Sequence, residues 1–379
     1  MIETATKMST DAMSCADRFP PVVKRSPPIP SEIYSVLWNF AFERHRIYLR
    51  RLAGEVHPWT KDRVLTEYKF TNAFRAADRV SQYLIELVYS DPDASEDTLF
   101  LRTLLFKIFN KIDTWKRIVG TLGMPVASEF DYEACGNLLD NYRRERISIY
   151  SGAYIMPSGG HSGAPKHRMH LHLIRRMLDD DLPGRLGATE SLAEAYDLLL
   201  AYPTLGPFLA FQYAVDLNYT TLMNHSEQDF VVAGPGALDG LSKCFQSLGD
   251  YSPEDTIVWL SDMQVEEFSR YNLDFDGLWG RPLQPIDVQN LLCEVSKYTR
   301  ATHPDVKGRS GRKRIKQKFK MTGPLPKPLF PPKWGLKQRV AAWLASTRGD
   351  DTEPVQTLRL TSHARTPTPG SGVPDSTYP

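Results

Sequence analysis

Residues 202–210 read Tyr202-Pro203-Thr204-Leu205-Gly206-Pro207-Phe208-Leu209-Ala210, a Gly/Pro turn between stretches of helical period at 188–201 and 207–219. Proline cannot continue a helix but fits its first turn, and glycine brings no side chain. The stretch therefore predicts a helix, a tight hairpin and a second helix. Small residues at such a turn let backbone N–H groups approach an anion unobstructed. Working outward, SGAYIMPSGG (151–160) and KHRMHLHLIRRML (166–178) precede the hairpin, and DFVVAGPGALDGLSKCF (229–245) follows it. Asp229 opens that last stretch, ahead of a second glycine turn at Gly234 and Gly236. The plain alternative is an ordinary helix–helix turn with Asp229 as a helix cap.

The net charge of the 379 residues is only +1, which by itself indicates no nucleic-acid partner. Its distribution says more. The run VKGRSGRKRIKQKFK (306–320) holds eight Lys and Arg residues and no acid. Such a run attracts phosphate regardless of sequence, and Arg312, Lys313, Arg314 and Lys316 are the expected contacts to a DNA backbone. A nuclear-localisation signal is the rival reading of the same run. Hydrophobic residues, 41% of the chain, suffice for a sizeable core. The four cysteines, Cys15, Cys135, Cys244 and Cys293, are scattered without a C-x-x-C pair. That spacing argues against a disulfide framework and a metal site, and for a reducing compartment. No apolar run is long enough for a membrane span and no secretory signal is present. The expected location is nuclear in a eukaryote and otherwise cytoplasmic.

Composition divides the chain into a disordered lead-in (1–29), a helical body (30–305), a basic segment (306–323) and a Pro/Ser/Thr-rich disordered tail (324–379). The tail contains one helix-like stretch, KQRVAAWLAS (337–346). Within the body, helical period runs over 31–54, 66–89, 98–121, 131–147, 166–178, 188–201, 207–219, 237–247, 253–259, 263–271 and 285–300. Only FVVA (230–233) looks strand-like. The fold class is all-α.

Several residues have the chemistry for a site on DNA. Asp229 is the first candidate acid and Asp216 the second. Trp59, on the His57-Pro58-Trp59 loop, either stacks on a base or plugs a helix junction. Asn72, Arg75 and Arg79 fall on one face if 66–89 is one helix; Asn reads base edges and Arg clamps phosphate, unless the face is merely solvated. Asn110 is placed on a pocket wall, and Lys166 with His167 against DNA. His161, His167, His170 and His172 read as a surface cluster rather than a metal site. Glu294, Lys297 and Tyr298 form either an ion-paired face or an active-site wall. The P-loop pattern G-x-x-x-x-G-K-[ST] is absent, so these residues alone do not make a P-loop kinase. No cofactor signature is evident.

Taken in order, helix, hairpin, helix and acid resemble the helix-hairpin-helix DNA glycosylases, which implies a two-lobed helical fold. In that comparison Pro203, Gly206 and Ala210 fit the hairpin pattern and Thr204 replaces a glycine. Phe208 occupies the place of the lysine found in lyase members, so Schiff-base chemistry is not expected. ERHRIYLRRLAGEVHPWTKDRVLTEYKFTNAFRAADRVSQYLI (43–85), LLFKIFNKIDTW (104–115), TLGPFLAFQYAVDLNY (204–219), DFVVAGPGALDGLSKCF (229–245) and DVQNLLCEVSKYTR (287–300) resemble a narrower group. It comprises the helical domain associated with 5-hydroxymethyluracil DNA kinases and the related α-glutamyl/putrescinyl-thymine pyrophosphorylases. The resemblance implies DNA thymine hypermodification, with DNA and a separate P-loop kinase as partners and an amine or amino acid as donor. It implies base or phosphate contacts from Asn72 and Arg75, with Gly206 on the DNA backbone. A transferase-like step leads; a monofunctional glycosylase and a non-catalytic DNA-binding or kinase-docking module are the alternatives.

Overall fold

Fifteen α-helices and one two-stranded ribbon make up the described residues (25–157, 163–321 and 323–348) of the computed structural model. The first half carries α1 (Tyr34–Leu52), α2 (Arg63–Glu67), α3 (Arg79–Tyr89), α4 (Glu96–Phe109), α5 (Ile112–Leu122), α6 (Tyr132–Arg144) and α7 (Lys166–Asp179). Then come α8 (Leu182–Gly187), α9 (Leu192–Leu200), α10 (Pro207–Asn218), α11 (Pro235–Cys244), α12 (Pro253–Asp262), α13 (Gln264–Arg270), α14 (Pro285–Thr302) and α15 (Lys337–Arg348). The ribbon pairs β1 (Ile29–Pro30) antiparallel with β2 (Phe245–Ser247). FVVA is loop, not strand.

Two helices are buried on nearly every side, as their apolar character all round requires. Helix α4 is buried from Thr98 to Phe109 and α10 from Leu209 to Asn218. Helices α3, α5, α7 and α8 pack on α4, while α9 folds back on α10. A second set, α1, α2, α11 and α12, packs on α14. Glycine is obligatory where α11 packs on α14. A Cβ at Gly236 would collide with Cys293 Sγ, and one at Gly240 with the Leu292 carbonyl. Gly236 therefore serves packing of α11 on α14.

The span 66–89 is not one helix. Helix α2 stops at Glu67, residues 68–74 run extended or bent, and a 3-10 turn (Arg75–Ala77) precedes α3. Aromatic and β-branched residues (Tyr68, Phe70, Thr71) favour extended backbone here. Side chains elsewhere then capture the freed N–H groups: Glu294 binds that of Thr71 (3.1 Å) and Asp78 that of Asn72 (2.8 Å). Asn72, Arg75 and Arg79 consequently do not share a helical face. The 3-10 turn contacts both α3 and α14, so it sits at the seam between the two helix sets.

The hairpin joins α9 to α10 as the sequence predicts. Thr204 lies in the left-handed region (φ 72°), a conformation that favours glycine. Gly206 caps α10 with Pro207 in its first turn, is exposed, and has open space where a Cβ would stand.

The segments flanking the body are more ordered than their composition suggests, where they are described. Residues 25–30 are held by an Arg25–Asp255 ion pair (3.2 Å), a Ser26 N–H bond to Asp250 (2.7 Å) and the β1–β2 pairing. The basic segment runs as a strap. Asp239 accepts from the Ser310 N–H (2.6 Å). Further on, Lys69 donates its N–H to the Gln317 carbonyl (3.0 Å) and Phe319 to that of Glu67 (2.9 Å). Beyond it Phe330, Leu336 and Val340 are buried and Trp334 lies against Tyr219. The aromatic side chains supply a core that proline content hides. The disorder expected of 1–24 and 349–379, and His161 of the histidine cluster, fall outside the described residues.

Candidate functional site

A buried charged centre lies at the seam. Asp216, on α10, is wholly buried; Arg75 Nη1 stands 2.9 Å from its Oδ1 and Lys107 Nζ, from α4, 3.3 Å from its Oδ2. Both cations are at most 3% exposed. The Arg75 backbone N–H also donates to Asp287 on α14 (2.7 Å), so this one residue ties both helix sets together. Burial opposes the charge of Arg75, but Asp216, Tyr219 and Tyr154 together outweigh it, and its pKa stands well above the usual value. Burial pulls Lys107 down, against the upward influence of Asp216. Two buried cations share this one buried carboxylate. Burial also pushes Asp287 up to about 7, against the N–H groups of Gln284 and Arg75.

The loop over 148–157 is stitched across the end of α4. Asn110 closes that helix in the left-handed region (φ 49°) and donates from Nδ2 to Ser151 Oγ (3.2 Å), while Ser151 donates its N–H to the Phe109 carbonyl (3.0 Å). Asn110 Oδ1 is buried without a partner. This loop places Tyr154 (φ 54°), a strained conformation for an aromatic residue. Its ring lies 5.3 Å from Lys107 Nζ and parallel to Phe208, 5.9 Å between centroids. Burial pushes the Tyr154 hydroxyl up to about 12. Both rings are half-buried. A Cβ at Gly234 would stand 2.6 Å from the Phe208 ring and 3.0 Å from Gln289 Nε2, so these two side chains converge on bare backbone.

The other sequence candidates are distributed as follows. Asp229 is exposed on the loop between α10 and α11 and makes no hydrogen bond or ion pair among the described residues. It does not join the buried centre, which forms around the second candidate, Asp216. Asn72 is used structurally: Oδ1 accepts from Arg44 (2.8 Å) and Nδ2 donates to the Ala77 carbonyl (2.8 Å), so its amide is not free to read a base. Arg79 is exposed at the start of α3. Trp59 plugs its junction, donating to the Glu55 carbonyl (2.7 Å) under Arg51 (4.8 Å) and edge-on to Phe319 of the strap (6.0 Å). Lys166 lies over the Tyr150 ring (4.6 Å).

His167 is buried with Nε2 3.0 Å from Asp140. His170 sits between the Tyr150 hydroxyl (2.9 Å) and the Pro157 carbonyl (3.0 Å), and burial lowers it to about 4. Neither is a surface ligand. No group of three metal-ligating side chains forms among the described residues. Glu294 pairs with Lys297 (2.5 Å) and also holds the Thr71 N–H, and Tyr298 donates to Asp62 (2.5 Å). On the strap, Arg312, Lys313, Arg314 and Lys316 are all exposed, and none pairs with an acid among the described residues. Two surface clefts, about 550 Å³ beside Asp97, Asp131 and Arg175 and about 460 Å³ beside Trp279 and Trp343, are lined by no residue of the buried centre.

Tyr154, Phe208, Gln212 and Gln289 were not legible as site residues. A signal existed for three positions: Phe208, Gln212 and Asp216 recur every fourth residue, a stripe with two polar members on a largely apolar helix.

A family model described as 5-hmdU DNA kinase, helical domain, matches residues 31–308. The chain belongs to this family. As a member of the 5-hmdU DNA kinase helical-domain family it is similar to the 5-hmdU DNA kinase of Bacillus phage SP10, 27% identical over 292 residues. That alignment covers 70% of this chain and 45% of the relative, so the chain spans less than half of the phage kinase's length. No solved structure matches. The match ends at 308, so α15 and all but the first three residues of the strap lie beyond it. No helix among the described residues is long and apolar enough to cross a membrane.

Proposed function

We propose that this chain binds DNA and takes a uracil-type base, 5-hydroxymethyluracil or its phosphorylated form, into the site between α4, α10 and α14. The observation that carries the reading is the sharing of helix α10. Its exposed N-terminus begins at Gly206 and its buried end holds Asp216 between Arg75 and Lys107. Backbone N–H groups at such a helix start suit a DNA phosphate. Thr204 in a glycine's conformation supports the helix-hairpin-helix, glycosylase-like reading of the hairpin. A duplex base reaches a buried site only by leaving the stack, and the unpaired cations of the strap add sequence-independent attraction.

The chemistry we infer is group transfer. With an activated oxygen on the base's 5-methylene carbon, an incoming amine forms a C–N bond as the C–O bond breaks. The phosphate leaves with the bonding electrons and the amine gives up a proton. The Arg75 and Lys107 cations suit the departing anion. Asp216 holds those cations in place. A separate P-loop kinase supplies the phosphate, and an amine or amino acid is the donor.

The test is to incubate the protein with duplex DNA carrying 5-hydroxymethyluracil or its phosphorylated form together with candidate amines, digest the DNA and weigh the nucleosides. A heavier nucleoside is the expected result. Free base or abasic sites would replace transfer with glycosylase action. Unchanged DNA that remains bound would reduce the chain to a binding or kinase-docking module.

A further inference from the structure

Gln212 lies one turn after Phe208 and one turn before Asp216 on α10, and is 1% exposed. Its Oε1 accepts from Arg75 Nε at 3.2 Å. An arginine Nε–H can only donate, so the atom facing it must be the carbonyl oxygen. Turning the amide over would set N–H against N–H, and the orientation is therefore locked. The nitrogen Nε2 points elsewhere, is buried, and has no acceptor among the described residues. A buried donor left unpaired is costly, and a ligand carbonyl would recover that cost. A second orphan lies nearby: Gln289, 2% exposed, has its Nε2 beside Gly234 and Phe208 and its Oε1 buried without a partner. The parallel, half-buried rings of Phe208 and Tyr154 stand at the same place.

Uracil and its 5-substituted forms present a carbonyl at C4 beside a donating N3–H. Cytosine forms present an amino group at C4 beside a bare N3. A locked donor accepts the first edge and meets the second with N–H against N–H. We propose that Gln212 is the specificity-determining residue of the site. Its Nε2–H donates to the C4 carbonyl of an extrahelical uracil-type base that stacks on Phe208, and cytosine-type bases are rejected there. Gln289 Oε1 takes the N3–H of the same base. This inference rests on the reading that a base enters the site, and goes beyond it in naming which base edge is read and by what.

The test measures binding of the full chain, by fluorescence anisotropy, to duplexes with one 5-hydroxymethyluracil or one 5-hydroxymethylcytosine. Each modified base faces an abasic position, so that extrusion is equally easy, and an unmodified duplex is the reference. The wild type is expected to prefer the uracil form by about tenfold or more. Gln212→Glu and the uncharged Gln212→Met should both bring that preference within about twofold. Phe208→Leu, at a half-buried position, should weaken both modified duplexes alike and keep the preference. A tenfold preference that survives both Gln212 substitutions overturns the proposal, because another group then reads the base. Equal weakening of both bases in the Gln212 variants also overturns it, because the donor then meets the C2 carbonyl common to both. A wild type that binds neither modified duplex more tightly than the unmodified one fails the base-entry reading itself, and this inference falls with it.

Discussion

Asp216 is the residue on which the buried centre depends. Removing its charge strands Arg75 and Lys107, each at most 3% exposed, without a counterion. Breaking a buried pair from the side of the shared partner is the expensive direction, about 3–5 kcal/mol. Asp216→Asn is therefore expected to lower the urea unfolding free energy by about that much. Lys107→Met should cost clearly less, since it leaves the Arg75–Asp216 pair intact. Equal costs for the two would contradict this account of the centre. Asp216 itself was legible in the sequence as a candidate, but its setting was not. Its partners come from residues 75 and 107, and a single sequence carries no signal that α4 and the 3-10 turn converge on α10. Asp229 looked the better acid because its place relative to the hairpin is readable from spacing, whereas its exposure is not.

At the scale of elements, periodicity located most helices and missed where they break. The span 98–121 divides at Asn110, which turns left-handed, and 66–89 divides into α2, an extended stretch and α3. Both breaks are held by side chains distant in sequence, Ser151 in one case and Glu294 in the other. The glycines around 234–240 were legible as a turn, but their reason lies in the neighbouring helix. Gly236 lets α11 approach α14 at Cys293. Gly236→Ala should then cost about 1–3 kcal/mol through overpacking, and Cys293→Ala in the same chain should restore more than half of it. Thermal unfolding of the two single variants and the double variant checks this; simple additivity would mean that the two residues do not meet.

Over the whole molecule, the two helix sets meet along the seam held by Arg75, and the strap crosses from Asp239 on α11 to residues 67–69 beside α2. The all-α class follows from the sequence because long apolar stripes at helical spacing need little else. The ordered part of the tail did not, because Pro331, Pro332 and Gly335 read as disorder while Phe330, Trp334 and Leu336 between and beside them pack on the body. The exposed Gly206 turn, the strap with its outward Arg312, Lys313, Arg314 and Lys316, and a seam lined by orphan amides together make the central claim: a uracil-type base leaves the duplex and enters this helical domain. The most direct measurement places 2-aminopurine, whose fluorescence rises when it loses a stacking neighbour, beside a single 5-hydroxymethyluracil in duplex DNA, with an all-thymine duplex as control. Titrating in the protein should raise the signal for the modified duplex and leave the control nearly unchanged. Binding of both duplexes with no rise in either would contradict the claim.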